Sequence, residues 1–187
     1  MRSQPGRLRI IAGSHRGRRV EIPPSARPTG ERIRESLFNI IANGNMADLD
    51  GARVLDACAG SGALGIEALS RGADHAVFLD DDRAALRQIE ANLDALNLSD
   101  RADVRRMDIT RPTAGTPCGI VLLDPPYDSD IAQIAPGALV AGGWIANGGL
   151  CVVETRRGTA LDCGAGFEAA DARSYGDTTL HFLIWSG

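Results

Sequence analysis

Lysine is absent from this 187-residue chain; all 20 basic side chains are arginine. Every fixed cationic contact is therefore made by a planar guanidinium fork, which suits bidentate recognition of phosphate better than an ammonium does. Cysteine is sparse, and Cys58, Cys118, Cys151 and Cys163 form neither a CxxC pair nor a metal-ligand spacing with the three histidines. That argues against a disulfide framework, and no metal is expected. Aromatic residues make up only 4% of the chain. There is no internal repeat and no low-complexity tract. A long unbroken apolar run is missing too. Ile131 to Val153 contains 23 residues without a charge, yet five glycines, Pro136, Gln133 and Asn147 punctuate it. This pattern predicts a buried helix, loop and strand, and no membrane association is expected. Arg2, Arg7 and Arg9 fall too close together to leave the apolar stretch of a signal peptide, so a cytoplasmic location is expected.

What is present is an ordinary globular balance, 44% apolar and 24% charged, in a length that fits one domain with a small appendage. The charge is unevenly placed. Residues 1–34 hold nine arginines against Glu21 and Glu31, a local balance of +7, while the remainder carries −11 within a total of −4. A basic head on an acidic body is either a solvated arm or a surface that meets phosphates.

Short strands over Leu8–Ala12 and Arg18–Ile22 flank Gly13-Ser14-His15-Arg16-Gly17, which predicts a hairpin with a basic tip. Pro23 to Pro28 reads as a stiff linker. A helix is expected from Glu31 to Asn43, with Ile33, Leu37, Ile40 and Ile41 on its apolar face. From Arg53 onward strands and helices alternate. Strands are expected at Val54-Leu55, His75–Leu79, Ala102–Arg106, Gly119–Leu123 and Gly149–Val153, with helices over Ala63–Arg71 and Arg83–Leu96. Two further strands, Phe167–Arg173 and Thr179–Trp185, are split by the turn Tyr175-Gly176-Asp177 and make one edge antiparallel. Such alternation predicts an α/β fold, a mostly parallel sheet with helices on both faces.

Between the first sheet strand and its helix stands Asp56-Ala57-Cys58-Ala59-Gly60-Ser61-Gly62-Ala63-Leu64-Gly65. Gly60, Gly62 and Gly65 satisfy GxGxxG, and Asp80 follows 20 residues after Gly60, as in a dinucleotide site. Asp56 separates the options. A carboxylate at the mouth of the turn repels a pyrophosphate but attracts the ammonium and sulfonium of S-adenosyl-L-methionine. Asp80 is placed to accept from ribose hydroxyls, with Asp81 and Asp82 beside it, and Asp108 from an adenine amino group. A nicotinamide dehydrogenase is the less favoured reading.

The fourth strand exits into Asp124-Pro125-Pro126-Tyr127. Two prolines leave a rigid backbone that offers only carbonyl acceptors. An acid, carbonyls and an aromatic face suit a flat base with an exocyclic amine, which donates to Asp124 and the Pro125 carbonyl while the ring stacks on Tyr127. Pro117-Cys118 precedes this strand, so its thiol is not expected to be catalytic. Cys58 reads as a small packing residue, and His75 and His181 as structural.

Asp124 to Tyr127 resembles motif IV of amino-directed class I methyltransferases, and Asp56 to Gly62 their motif I. Arg27-Pro28-Thr29-Gly30-Glu31-Arg32-Ile33-Arg34-Glu35-Ser36-Leu37-Phe38-Asn39 is similar to the segment before motif I in the bacterial 16S rRNA (guanine-N2)-methyltransferases. The resemblance runs from Arg9 to the last strand. It implies a Rossmann-like seven-stranded sheet with an N-terminal β-hairpin extension, divided into a basic hairpin and linker over 1–28 and a methyltransferase domain over 29–187. It also implies transfer of a methyl group from S-adenosyl-L-methionine to a guanine N2 in small-subunit rRNA, within a subunit or an assembly intermediate, by a monomer. Carried over residue by residue, Thr29, Asp56, Gly60, Gly62, Asp80 and Asp108 bind the cofactor, while Asp124, Pro125, Pro126 and Tyr127 hold the base. Asp80 stands where that family leads one to expect glutamate. Arg7, Arg9, His15, Arg16, Arg18 and Arg19 are expected to grip RNA. The competing readings are an adenine-N6 methyltransferase acting on nucleic acid and a non-catalytic RNA-binding assembly module.

Overall fold

Strands apolar on both sides must be covered on both faces, and the computed structural model shows how this chain does it. It describes residues 6–23, 30–44, 46–162 and 164–187. Most of the expected linker, Thr29 and Cys163 lie outside the described residues. Along the chain run β1 (Gly6–Arg9), β2 (Arg19–Ile22), α1 (Glu31–Asn43), β3 (Arg53–Ala57), α2 (Ala63–Ser70), β4 (His75–Asp80) and α3 (Arg83–Leu96). There follow β5 (Ala102–Arg106), β6 (Cys118–Leu123), α4 (Ile131–Ala141), β7 (Ile145–Arg156), β8 (Phe167–Tyr175) and β9 (Thr178–Trp185).

β1 and β2 pair as the expected antiparallel hairpin. The other seven strands form one sheet in the order β5-β4-β3-β6-β7-β9-β8. It is parallel from β5 to β7 and antiparallel where β9 meets β7 and β8. The chain moves outward from β3 to one side and returns to build β6 on the other, a reversal that opens a crevice at the carboxyl ends of β3 and β6. Leu55, Val77, Val121 and Cys151 pack beneath Ala135 and Leu139 of α4 and Trp144. On the opposite face Val54, Ile120, Val152 and Phe182 meet Leu37, Phe38 and Ile41 of α1 and Leu64 and Ala68 of α2. Ala76 and Phe78 share that face with Ile89 and Leu93 of α3. Among the described residues, no helix is long and apolar enough to cross a membrane.

Two differences from the sequence expectation matter. α1 is rotated from its apolar stripe, so Arg34, Leu37, Phe38 and Ile41 are buried while Ile33 and Ile40 are half-buried. The rotation is explained by acceptors inside the protein: Arg34 Nη2 donates to the Arg9 carbonyl at 2.8 Å. Burial pushes the Arg34 guanidinium below its usual pKa, and the charges of Glu67 and then Glu31 pull it back.

The hairpin, secondly, is not a solvated arm. Leu8, Ile10, Val20 and Ile22 enter the cluster formed with Ile66, Leu69 and Leu86. Glu67, 1% exposed, accepts from Ile11 N at 2.9 Å, Ala12 N at 3.0 Å and Arg71 Nε at 2.7 Å. Asn92 acts as a surrogate strand for β2, accepting from Glu21 N and donating to its carbonyl at 2.9 and 2.8 Å. The tip turns back onto the helices, with His15 Nε2 3.1 Å from the Leu96 carbonyl and Arg18 Nη2 2.8 Å from that of Ala95. Unpaired carbonyls at a helix C-terminus attract such donors. His15 and Arg18, expected to grip RNA, are therefore engaged in holding the tip to α3.

Candidate functional site

The crevice is a cleft of about 620 Å³ at the carboxyl ends of the parallel strands. Asp56 sits inside β3, paired in register with Phe78 on one side and Leu122 on the other, and is 1% exposed. Its Oδ2 accepts from Gly65 N at 2.8 Å, which ties the mouth of the turn to the start of α2. Burial raises its carboxyl well above the usual pKa; the Gly65 amide opposes this, and the charges of Asp124 and Asp80 add to it. Asp80 Oδ2 accepts from Gly60 N at 2.8 Å and its Oδ1 from Asp82 N at 2.9 Å. The acid ending β4 thus clamps the glycine turn of β3.

Of the three consecutive acids, Asp80 and Asp81 line the cleft. Asp82 instead caps α3, accepting from Ala84 N at 2.7 Å. Asp108 lines the cleft from beyond β5, with Thr110 donating to its Oδ1 from Oγ1 at 2.6 Å and from N at 2.9 Å. Those two donors hold its carboxyl below the usual range. Asp124, Pro125, Pro126 and Tyr127 close the opposite wall.

The predicted set is therefore brought together with two exceptions. Thr29 lies outside the described residues. Gly62 does not line the cleft: at φ +73° it caps α2, and a Cβ there would stand 2.9 Å from Ile89 Cγ1. Its freedom serves the turn and the contact with α3. Gly65 works similarly on packing, since a Cβ would meet the Phe78 ring at 2.3 Å.

Other lining residues escaped the sequence reading. Cys58, Ser61, Ile109, Glu154, Arg156 and Thr178 all face the cleft. Cys58 adopts φ +62°, a conformation that glycine accepts more readily. Burial, then the charge of Asp80, pushes its thiol far above the usual range, which disfavours the thiolate. Cys118, expected just before the strand, is instead the first residue of β6; burial raises its thiol to about 11, and it does not line the cleft. The Tyr127 hydroxyl donates to Glu154 Oε1 at 2.7 Å and shares a 2.6 Å hydrogen bond with Thr178 Oγ1. Burial is the main reason it is pushed up to about 12. The phenol is thus an anchor, and the ring face is what it offers. Glu154, Arg156 and Thr178 come from β7 and β9, distant in sequence and joined here only by the antiparallel register, in which Arg156 pairs with Thr178.

Among the described residues, seven carboxylates and one arginine line the cleft. This donor set fits a cationic nucleoside ligand and opposes a pyrophosphate. Among the described residues, no group of three or more His, Cys, Asp or Glu could hold a metal ion.

Comparison with known proteins decides between such ligands' families. Residues 8–184 match the family model described as conserved hypothetical protein 95. Over 156 residues the chain is 39% identical to the ribosomal RNA small subunit methyltransferase D of Escherichia coli strain K12, covering 82% of this chain and 77% of that protein. The chain belongs to the small subunit rRNA methyltransferase D family. The Haemophilus influenzae protein of that name is 37% identical over 159 residues, covering 81% of this chain and 80% of its own. A solved putative methyltransferase from Escherichia coli superposes with a TM-score of 0.86 at 34% identity, covering 96% of this chain and 98% of that one. At 17% identity, an RNA methyltransferase from Salinibacter ruber solved with S-adenosyl-L-homocysteine shares the fold, with a TM-score of 0.66 over 85% of this chain and 94% of its own. The family's Rossmann-like methyltransferase architecture accounts for the seven-stranded sheet and its crevice.

The buried acid yields a prediction. Asp56 has a folded pKa above its unfolded one, so in apo protein the folded state binds more protons than the unfolded state. Stability therefore falls as pH rises from about 4, the unfolded carboxylate value, to the raised folded value. Asp56→Asn escapes this loss while still accepting from Gly65 N. Its stability relative to the wild type is expected to grow by about 1.4 kcal/mol per pH unit across that window and level off above it. Urea unfolding between pH 4 and 8 measures the difference, and isothermal titration should show cofactor affinity falling in the same variant.

Proposed function

We propose that this protein transfers a methyl group from S-adenosyl-L-methionine to the exocyclic N2 amine of a guanine in small-subunit rRNA. The observation that carries the reading is the placement of Asp124-Pro125-Pro126-Tyr127 at the end of β6, sharing one cleft with the glycine turn of the adjacent β3. The naming of the relatives as small-subunit rRNA methyltransferases supports the substrate class.

When bound, S-adenosyl-L-methionine supplies a methyl group already activated on a sulfonium centre. Asp56 and the backbone around Gly60 would hold its amino-acid end, Asp80 would accept from its ribose hydroxyls and Asp108 from its adenine amine. Asp124 and the Pro125 carbonyl accept from the guanine amine, which turns its lone pair toward the methyl carbon. Tyr127 holds the ring by its face, so the guanine must leave its stack to enter. As the N–C bond formed, the S–C bond would break with S-adenosyl-L-homocysteine as the leaving group, and Asp124 would take the amine proton. Positioning supplies most of the acceleration, because the donor needs no further activation.

The hairpin side, residues 1–28, serves RNA, and residues 29–187 carry the chemistry. The protein works as a cytoplasmic monomer on a small subunit or an assembly intermediate, without a metal. Transfer of labelled methyl to naked 16S rRNA, small subunits and DNA, followed by nucleoside identification, tests the reading. N2-methylguanosine in ribosomal material is expected; N6-methyladenosine or N6-methyldeoxyadenosine as the product overturns it.

Arg7, Arg9, Arg16 and Arg19 are exposed on the hairpin. Arg7 and Arg9 pair with Glu21 and Glu31 at 3.4 Å, with the arginines 60% exposed, so both forks are easily redirected. Replacing the four by glutamine, and sparing Arg18, is expected to flatten the salt dependence of RNA binding. Each lost phosphate contact lowers the log–log slope by about 0.7–0.9. Filter binding across a salt series checks this, with S-adenosyl-L-homocysteine affinity expected to stay constant.

A further inference from the structure

The amine end of the cleft cannot by itself choose its base. Asp124 and the Pro125 carbonyl accept from any exocyclic amine, whether on guanine or on adenine. Discrimination needs a donor for the acceptor edge that guanine has and adenine lacks. Among the described residues, the cleft lining carries seven carboxylates and a single cation, Arg156.

Arg156 ends β7, with its guanidinium carbon 5.7 Å from the centre of the Tyr127 ring and Nη2 2.9 Å from Asp128 Oδ1. The two paired side chains are 58% and 91% exposed. An ion pair so open to water adds little stability, so the fork is kept beside the ring yet remains exchangeable. The nearby hydroxyls of Tyr127 and Thr178 are already engaged with each other and with Glu154.

We propose that Arg156 is the specificity-determining residue of the substrate wall, donating its fork to O6 and N7 of the guanine whose amine is held at Asp124. The proposal rests on the guanine-N2 reading given above. O6 and N7 form an acceptor pair that matches a guanidinium bidentately. Adenine held by its own amine at Asp124 presents no such pair to the fork. The contact replaces Asp128 as the partner of Arg156, and the ring of Tyr127 supports the guanidinium and the base alike.

The test compares wild type with Arg156→Gln on 16S rRNA transcripts made with guanosine or with 7-deazaguanosine, which lacks the N7 acceptor. The RNA is used in whichever form, naked or assembled, the wild type methylates. Wild-type kcat/KM is expected to fall roughly tenfold or more on the 7-deaza transcript. Arg156→Gln should show a similar loss on the ordinary transcript and almost none beyond it on the analogue, with S-adenosyl-L-homocysteine affinity unchanged. Arg156→Lys, charged but without the fork, should restore little. Equal factors of loss on the analogue for both enzymes would assign the effect to RNA folding and overturn the proposal, as would full activity of Arg156→Gln. A wild-type product other than N2-methylguanosine sinks the functional reading itself and this inference with it, an outcome distinct from a failure confined to Arg156.

Discussion

Asp124→Ala is expected to reduce methyl transfer by about 10²–10⁴-fold, the range associated with losing a positioned proton acceptor. On the proposed roles, the substitution removes the acceptor that orients the amine and takes its proton, and the neighbouring carbonyls cannot do the second task. Binding of S-adenosyl-L-homocysteine should survive, because the charge of Asp124 repels that of Asp56 and its removal relieves that repulsion. RNA affinity should also survive if the hairpin supplies most of it. Asp124→Asn separates the two roles: it keeps an acceptor oxygen for the amine but takes no proton. A kcat lowered in both variants, more in alanine than in asparagine, is the expected order in single-turnover assays with labelled cofactor. Wild-type turnover in Asp124→Ala would falsify the assignment.

Glu67→Ala should produce the largest loss of stability. The carboxylate holds two hairpin amides and the Arg71 guanidinium, and its charge is the main compensation for the buried Arg34. Breaking a buried ionic network by removing one partner costs about 3–5 kcal/mol, a sizeable share of the roughly 5–15 kcal/mol that hold a domain folded. Urea unfolding gives the magnitude. Limited proteolysis should show new cleavage between Gly13 and Arg18 as Ser14 N and His15 N leave the Ser70 carbonyl and hydroxyl they donate to and the tip leaves Leu96 and Ala95. Arg34→Met combined with Glu67→Gln should be less damaging than the two single losses added together, because the buried Arg34 charge is removed along with the carboxylate that compensates it, leaving only Arg71 to find a new partner. Simple additivity would show that Arg34 and Glu67 do not act as a unit.

These two sites differ in how readily the sequence reveals them. Asp124 is legible because its neighbours announce it: an apolar strand ends, two prolines fix the backbone, and one of only two tyrosines follows. The order of strands and helices was readable for the same reason, since each element carries its own period and its own stop. α1 spans the expected Glu31–Asn43 and α3 the expected Arg83–Leu96. Glu67 and Arg34 were hidden because hydrophobic periodicity assigns charges to the solvent side. Their burial depends on hairpin amides and carbonyls that arrive from far along the chain. Glu154, Arg156 and Thr178 were hidden differently, since only antiparallel pairing between β7 and β9 brings them to Tyr127. Gly62 shows a use that the motif does not announce: its missing side chain serves a left-handed turn and leaves room beside Ile89.

β3 and β6 are direct neighbours in the sheet, with Ala57 opposite Leu123. The loop proposed for the donor and the loop proposed for the acceptor therefore leave the sheet one strand spacing apart, about 4.8 Å. On the proposed roles, the hydrogen-bond ladder itself is the yardstick for the reaction, and no domain closure is needed to bring the partners within range. Such a yardstick tolerates changes at the far ends of the strands but not a slip between them. A single residue inserted within β6 would displace Asp124 by about 3.3 Å and turn it to the other face, leaving a well-packed sheet whose two reactants no longer meet.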